Sequence, residues 1–388
     1  MKQRLLTAFF ALCGSLISYS QFNVGHTTIT FNDPSRTGGY GSGGGSGRQI
    51  QTEIYYPAAT TGDNTAISSG NFPVIVFGHG FAMAWDAYQD IWEHYVPLGY
   101  VLAFPRTEGS LIPSPVHADF GLDLRLVEQR MQAENNLSTS ILYQHLSSNS
   151  AIMGHSMGGG ATILAAQNNT SIKTIVGLAP AETDPSAISA AVNVSVPAVI
   201  YSGSSDGVTP PADHHIPIYN GLSSDCKTFV SIIGGGHCYF ANSNFNCDFG
   251  EATSSTGISI TRADQQTRTF ASLDSWFDYI LKGNNSSLGA FLNALNQSPS
   301  SQIIPETTCS VAEISEAEAN EFIIYPNPSD GVVFLDFLKF TPGIIQIFDI
   351  SGALVLETFS NGTLDLSNLN NGFYTLSVNG QYKPILKN

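Results

Sequence analysis

Three side chains in this sequence have the types and settings that nucleophilic chemistry needs. Ser156 lies in Gly154-His155-Ser156-Met157-Gly158, after the apolar run "SAIMG" and before the small-residue run "GGATILAAQ". A strand, a sharp turn and a helix in that order lift a serine hydroxyl clear of a sheet edge and set the next backbone N–H beside it. A hydroxyl is a poor nucleophile near neutral pH, so a base must take its proton and an acid must orient the base. "PAVIYSGSSDGVTPP" offers Asp206 directly after one apolar run, and "TFVSIIGGGHCYF" offers His237 after the next. The expected roles are nucleophile for Ser156, acid for Asp206 and base for His237. A developing oxyanion also needs N–H donors. Met157 supplies one, and Phe81 in "VIVFGHGFAM" the other, with Gly78 and Gly80 freeing the backbone around it.

Other residues compete for roles. His155 is the variable member of the turn and suits packing or support of the site; it also joins Phe81, Trp85, Tyr239 and Phe240 in the substrate-binding set. These aromatics favour an apolar acyl or aromatic moiety, although Trp85 suits a core position equally well. Asp184 is the runner-up acid. Asp213-His214-His215 could suggest a metal, but consecutive ligands without a supporting cluster make a poor site. His117 and Asp119 are expected to cap a helix starting near Phe120. The chemistry needs neither a metal nor an organic cofactor.

The elements that must position these residues are legible. "FPVIVFG" (72–78), "GYVLAF" (99–104), "SAIMG" (150–154), "KTIVGLA" (173–179), "PAVIYSG" (197–203) and "TFVSIIGG" (228–235) are short, apolar and rich in β-branched residues. Between them run helical patterns over Trp85–Tyr95, Phe120–Glu134, Gly158–Gln167 and Arg262–Leu281. Continuous apolar strands alternating with helices mean an α/β fold with a mostly parallel sheet buried on both faces. Upstream, "FNVGHTTITF" and "RQIQTEIYYP" alternate with period two and read as an antiparallel pair. The "RTGGYGSGGGSGR" between them lacks the Lys-Ser/Thr of a phosphate loop and reads as a flexible connection.

Composition sets the context. Lys and Arg total 15 against 31 Asp and Glu, a formal charge of −16, which excludes nucleic acid and an electrostatic hold on anionic membranes. Residues 1–20 read as a secretory signal peptide, with Lys2 and Arg4 before an apolar core and a small-residue end, too short for a membrane span. Past Cys13, Cys226, Cys238, Cys247 and Cys309 remain, an even number for an oxidising compartment. Their pairing is open; a local Cys238–Cys247 staple with a longer Cys226–Cys309 closure is preferred. A first domain is expected over 21–300 and a Ser-, Pro- and Glu-rich linker over 301–320. A small all-β sandwich follows over 321–388, with period-two strands and turns at Ser-Asp-Gly, Ser-Gly and Asn-Asn-Gly.

The stretches "VFGHGFAMAW", "GHSMGGG", "SGSSDGVTPPADHHIPIYNGL" and "GGGHCYFAN" are similar to the cutinase-like polyester hydrolases of the α/β-hydrolase fold, including bacterial poly(ethylene terephthalate) hydrolases. The resemblance spans about Phe72 to Leu281. It implies a Ser156–Asp206–His237 triad, Phe81 and Met157 as oxyanion donors, and an ester substrate attacked through an acyl-enzyme. Such enzymes usually carry a tryptophan where "LAPAETD" has Ala181. The early part of the chain also resembles chlorophyllase-type and dienelactone-hydrolase-type esterases. A lipase, a peptidase or amidase on the same triad, and a non-catalytic surface protein are the other readings. "YPNPSDG", "IFDISGALV" and "LDLSNLNNGFYTLSV" resemble the C-terminal sorting domain of type IX secretion substrates. That implies contact with this secretion machinery and a secreted or cell-surface location.

Overall fold

A computed structural model describes residues 22–310, 322–337, 343–360, 362–378 and 381–388. The expected signal peptide and most of the expected linker fall outside the described residues. The chain divides into two compact units, residues 1–311 and 312–388.

The first unit is built on an 11-stranded sheet. Its strands are β1 (Asn23–Asp33), β2 (Gly39–Tyr40), β3 (Arg48–Ala58), β4 (Gly62–Asp63), β5 (Phe72–Gly78), β6 (Val101–Pro105), β7 (Leu146–His155), β8 (Thr174–Leu178), β9 (Ala198–Gly203), β10 (Lys227–Ile232) and β11 (Ile303–Thr307). The order is β11-β10-β9-β8-β7-β5-β6-β3-β1-β4, with β2 on β3. Strands β6, β5, β7, β8, β9 and β10 run parallel. β1 and β3 form the expected antiparallel pair. β5 lies between β6 and β7, so the chain crosses over β5 and reverses its direction of travel along the sheet. Ligands of open α/β sheets bind beyond the strand ends at such a switch.

The helices are α1 (Gln89–Tyr95), α2 (His117–Glu134), α3 (Met157–Ala166), α4 (Ala187–Ala191), α5 (His215–Gly221), α6 (Phe245–Ser254), α7 (Arg262–Lys282) and α8 (Ser286–Gln297). A 3-10 turn at Trp85–Tyr88 leads into α1. α7 buries Leu273, Trp276, Phe277 and Leu281 at helical spacing. A capping box of Thr261 and Asp264 starts it, and Gly283 at φ 71° ends it. One core cluster centres on Ile54, Val76, Leu124 and Ile152, the other on Phe77, Tyr88, Phe104 and Trp276.

Several expectations need correction. The first domain does not stop at 300. Ile303–Thr307 adds an antiparallel edge strand to β10, and Cys309 bonds Cys226 across 83 residues. Alternation in so short a segment is hidden by its Pro and Glu. The second bridge is Cys238–Cys247, so the preferred pairing is the one observed. The glycine-rich connection is anchored rather than loose. Arg36 and Arg48 at its ends both bond Asp123 of α2, at 2.7 and 2.8 Å. Asp119 sits in the first turn of α2 and faces the same two arginines, while Val116 holds the cap position without a side-chain bond.

The second unit is the expected sandwich. One sheet holds β12 (Phe322–Tyr325), β13 (Val332–Phe337) and β16 (Thr363–Asp365). The other holds β14 (Gly343–Phe348), β15 (Leu354–Ser360), β17 (Gly372–Val378) and β18 (Gln381–Lys387). Phe322, Val333 and Leu335 from one sheet share a core with Ile345, Ile347, Leu376 and Val378 from the other.

Candidate active site

Ser156 joins β7 to α3 with φ 56° and ψ −121°, a conformation that non-glycine residues rarely adopt. The turn is possible because Gly154 and Gly158, two places to either side, lack side chains. A Cβ on Gly158 would lie 2.1 Å from the Gly78 carbonyl oxygen, and one on Gly154 would lie 2.3 Å from the Gly158 oxygen. The Ser156 hydroxyl is not used to cap α3, and Met157 opens that helix. Its N–H therefore belongs to the first turn, where backbone donors have no helical acceptor.

β5 and β7 are paired with Gly78 opposite Gly154, so the loops after them leave the sheet side by side. The β5 loop is held on three sides. Gly80 N–H donates to Tyr88 Oη at 2.8 Å. The two ring nitrogens of His79 lie 2.9 Å from the Gly80 and Thr107 carbonyl oxygens. Asn246 Nδ2 donates to the Ala82 carbonyl at 2.8 Å. Phe81, between these anchors, is 46% exposed and free to face a ligand.

Asp206 and His237 follow neighbouring strands whose ends pair, Gly203 with Ile232. His237 Nδ1 lies 2.7 Å from Asp206 Oδ2. Asp206 Oδ1 accepts the N–H groups of Val208 and Thr209 at 2.9 and 2.8 Å. Burial raises the Asp206 carboxyl, but the His237 charge and these hydrogen bonds outweigh it and hold it below its ordinary value. His237 is itself fixed by Glu251 of α6, whose carboxylate accepts the N–H groups of His237 and Cys238. Burial raises the Glu251 carboxyl despite those donors.

The sequence candidates fall into different places. Ser156, Asp206 and His237 are buried at one end of the sheet. Ser156 and His237 are brought together through His155, whose Nε2 meets the His237 carbonyl at 3.0 Å and whose ring centroid lies 4.7 Å from that of His237. Among the described residues, Ser156 Oγ and His237 are not hydrogen-bonded to each other; such bonds commonly tighten only when substrate is bound.

His155 is corrected from the substrate-binding set. It is fully buried between Tyr88 Oη, 2.9 Å from its Nδ1, and the His237 carbonyl, and burial pulls its pKa well below the ordinary histidine value. Phe240 is corrected likewise, being 1% exposed and part of the core. Tyr239 turns toward Asp248, Glu251 and Arg262, with the Arg262 guanidinium 4.8 Å from its ring. Trp85 packs with Trp92 and Tyr55 while lining a cleft of about 560 Å³ with Tyr40, Met83 and Arg106. That cleft contains none of Ser156, Asp206 and His237, so side-chain geometry rather than cavity size locates the chemistry.

Asp184 is exposed, and its backbone N–H is bonded to His117 Nδ1 at 3.1 Å, far from the role of acid. His214 and His215 diverge, His214 accepting the Glu182 N–H and His215 pointing to Thr209. Among the described residues no group of His, Cys, Asp and Glu could hold a metal ion, and no helix is long and apolar enough to cross a membrane. Sequence reasoning missed Thr209, Tyr88 and Glu251. Thr209 carried a signal, three positions after the acid; Glu251 carried none.

A family model described as PET hydrolase-like matches residues 18–268. The chain belongs to that family. A second model, the secretion system C-terminal sorting domain, matches residues 323–388, and the protein is a secreted or cell-surface one. Among curated relatives, a bis(hydroxyethyl) terephthalate hydrolase from Streptomyces coelicolor is 29% identical over 199 residues, 51% of this chain and 56% of the relative. Cutinase est1 from Thermobifida alba is 28% identical over 217 residues, 55% of this chain and 64% of the relative. A cutinase from Thermobifida fusca is 29% identical over 215 residues, 55% of this chain and 63% of the relative. The chain thus spans between half and two thirds of these relatives. Ala181, where the PET hydrolase-like resemblance leads one to expect tryptophan, donates its N–H to the Ser156 carbonyl at 2.9 Å and puts no ring over the site.

Proposed function

We propose that this protein is a serine hydrolase of carboxylic esters, acting through an acyl-enzyme on Ser156. The observation that carries the reading is the strained Ser156 turn, whose preceding residue His155 packs on His237, itself paired with the buried Asp206. His237 takes the Ser156 proton as the oxygen attacks the ester carbonyl. Asp206 holds the imidazole in the tautomer with its free nitrogen toward Ser156 and stabilises the cation that forms. Met157 and Phe81 N–H groups receive the tetrahedral oxyanion, a loss of either costing about 3 kcal/mol. His237 then protonates the leaving alcohol, and water repeats the sequence to release the acid.

The relatives' names, a terephthalate diester hydrolase and cutinases, support ester substrates with an apolar or aromatic acyl group. Polyester is the finer substrate reading. The exposed Phe81 ring favours it, whereas the absence of a ring at Ala181 removes half of the aromatic clamp and counts against it. The sorting domain engages the type IX secretion machinery. The test compares p-nitrophenyl ester hydrolysis across acyl lengths by the protein and by Ser156→Ala. Turnover of short and medium esters that drops by roughly 10⁴-fold or more in the variant supports the reading. Equal rates in both proteins overturn it.

A further inference from the structure

We infer that Thr209 and His215, backed by Ser202, form a directed hydrogen-bond chain that positions Asp206 and, through it, fixes how strongly His237 holds its proton. Both are positioning residues, and the inference rests on the roles proposed above for Ser156, Asp206 and His237.

The chain is defined by short contacts among buried groups. Thr209 Oγ1 lies 3.1 Å from Asp206 Oδ2, 2.9 Å from His237 Nδ1 and 3.0 Å from His215 Nε2. His215 Nδ1 lies 2.8 Å from Ser202 Oγ. His215 and Ser202 are fully buried and Thr209 is 6% exposed, so water does not substitute for these partners.

Counting hydrogens fixes the direction. A threonine hydroxyl has one hydrogen to give and can accept others. His237 Nδ1 carries a hydrogen, since it faces the Asp206 carboxylate at 2.7 Å, and so donates toward Thr209 as well. The Thr209 hydrogen then goes to Asp206 or to His215. A desolvated carboxylate is the stronger acceptor, so it goes to Asp206. His215 must therefore donate from Nε2, leaving Nδ1 bare to accept the Ser202 hydroxyl. Burial, the largest influence on it, lowers the His215 pKa to about 3 and keeps it neutral, as a single-hydrogen tautomer requires. With two N–H groups on Oδ1 and His237 and Thr209 on Oδ2, Asp206 has four donors around its charge.

Removing the Thr209 hydroxyl takes one donor from Asp206 and strands the His215 N–H. The carboxylate charge then falls more fully on His237, which holds its proton to higher pH. The other titratable groups near this pair are His155 from β7, Glu251 from α6 and His214 beside His215, and the substitution alters none of them.

The experiment measures kcat and KM against pH on a soluble p-nitrophenyl ester for the whole protein, Thr209→Val and Thr209→Ser. Thr209→Val is expected to move the acid limb of kcat/KM upward by about half a pH unit or more and to lower kcat about tenfold. KM should stay within about twofold, and Thr209→Ser should restore the original limb. An unmoved acid limb in an active Thr209→Val overturns the inference, whereas an inactive unsubstituted protein counts against the proposed function instead. ¹⁵N NMR of the unsubstituted protein supplies a reading independent of any variant. It should show His215 protonated at Nε2 and bare at Nδ1, and the opposite tautomer overturns the chain.

Discussion

Gly158 at the start of α3 packs so tightly on Gly78 at the end of β5 that a Cβ on Gly158 would stand 2.1 Å from the Gly78 carbonyl oxygen and 2.6 Å from that of His79. This contact sets the spacing between the turn that carries Ser156 and the loop that carries Phe81. In the proposed function the N–H groups of Met157 and Phe81 converge only if the strand end and the helix start touch through backbone, which glycine at 158 permits.

Gly158→Ala is therefore expected to push the β5 loop away from α3. Overpacking of this kind costs about 1–3 kcal/mol of stability. Ester hydrolysis should fall at least about tenfold, more than stability alone would explain in the folded variant. Thermal unfolding measured beside kcat checks this, and an alanine variant with unchanged kcat contradicts the packing account.

Asp90 carries a second consequence. Both carboxylate oxygens are buried, and neither meets a partner in good hydrogen-bond geometry. Burial pushes this carboxyl up to about 7, with the Ile91 N–H and the charges of Arg262 and His94 only partly opposing it. A carboxyl raised in the folded state binds its proton more tightly there than in the unfolded chain. Its contribution to stability is thus fullest below about pH 4 and is lost as pH rises toward about 7, on the order of a few kcal/mol.

Asp90→Asn should remove that dependence. Melting temperatures of the two proteins should lie close together near pH 4, with the variant gaining steadily up to about pH 7. Parallel curves across this window would show that the Asp90 carboxyl is not raised in the folded protein.

The edge strand gives a third expectation. β11 and Cys309 lie beyond residue 300, yet they complete the sheet and close an 83-residue loop with Cys226. In the chain-entropy picture such a loop contributes about 4.5 kcal/mol. A chain ended after Gln302 should melt roughly 10 °C or more below one ended after Val311. Equal melting points would mean that β11 is dispensable.

Much of this was legible in residue order. The six apolar runs from Phe72 to Gly235 became the parallel strands β5 to β10, because strands buried on both faces leave an unmistakable continuous signature. Ser156, Asp206 and His237 could be found since each follows such a run directly. β11 escaped because an edge strand with one polar face and a proline shows little pattern over five residues. α6 escaped because Ser, Asn and Gly dilute its periodicity, whereas the helical spacing of Leu288, Phe291 and Leu295 in α8 is masked by the Ser- and Pro-rich stretch beside it. His155 and Phe240 were misplaced for a different reason: neighbours of functional residues in sequence alternate between facing the ligand and facing the core. Glu251 reaches the backbone of His237 from a separate helix, and no local spacing announces a contact between elements.

In the proposed function Ser156 is a nucleophile activated by His237 and Asp206. The most direct measurement treats the whole folded protein with an alkyl fluorophosphonate and locates the adduct by peptide mass spectrometry. A single adduct is expected on Ser156, absent from Ser156→Ala and strongly slowed in His237→Ala, with ester hydrolysis lost in step with labelling. A folded protein that takes no label at Ser156, or one that hydrolyses esters equally well after Ser156 is labelled, contradicts it.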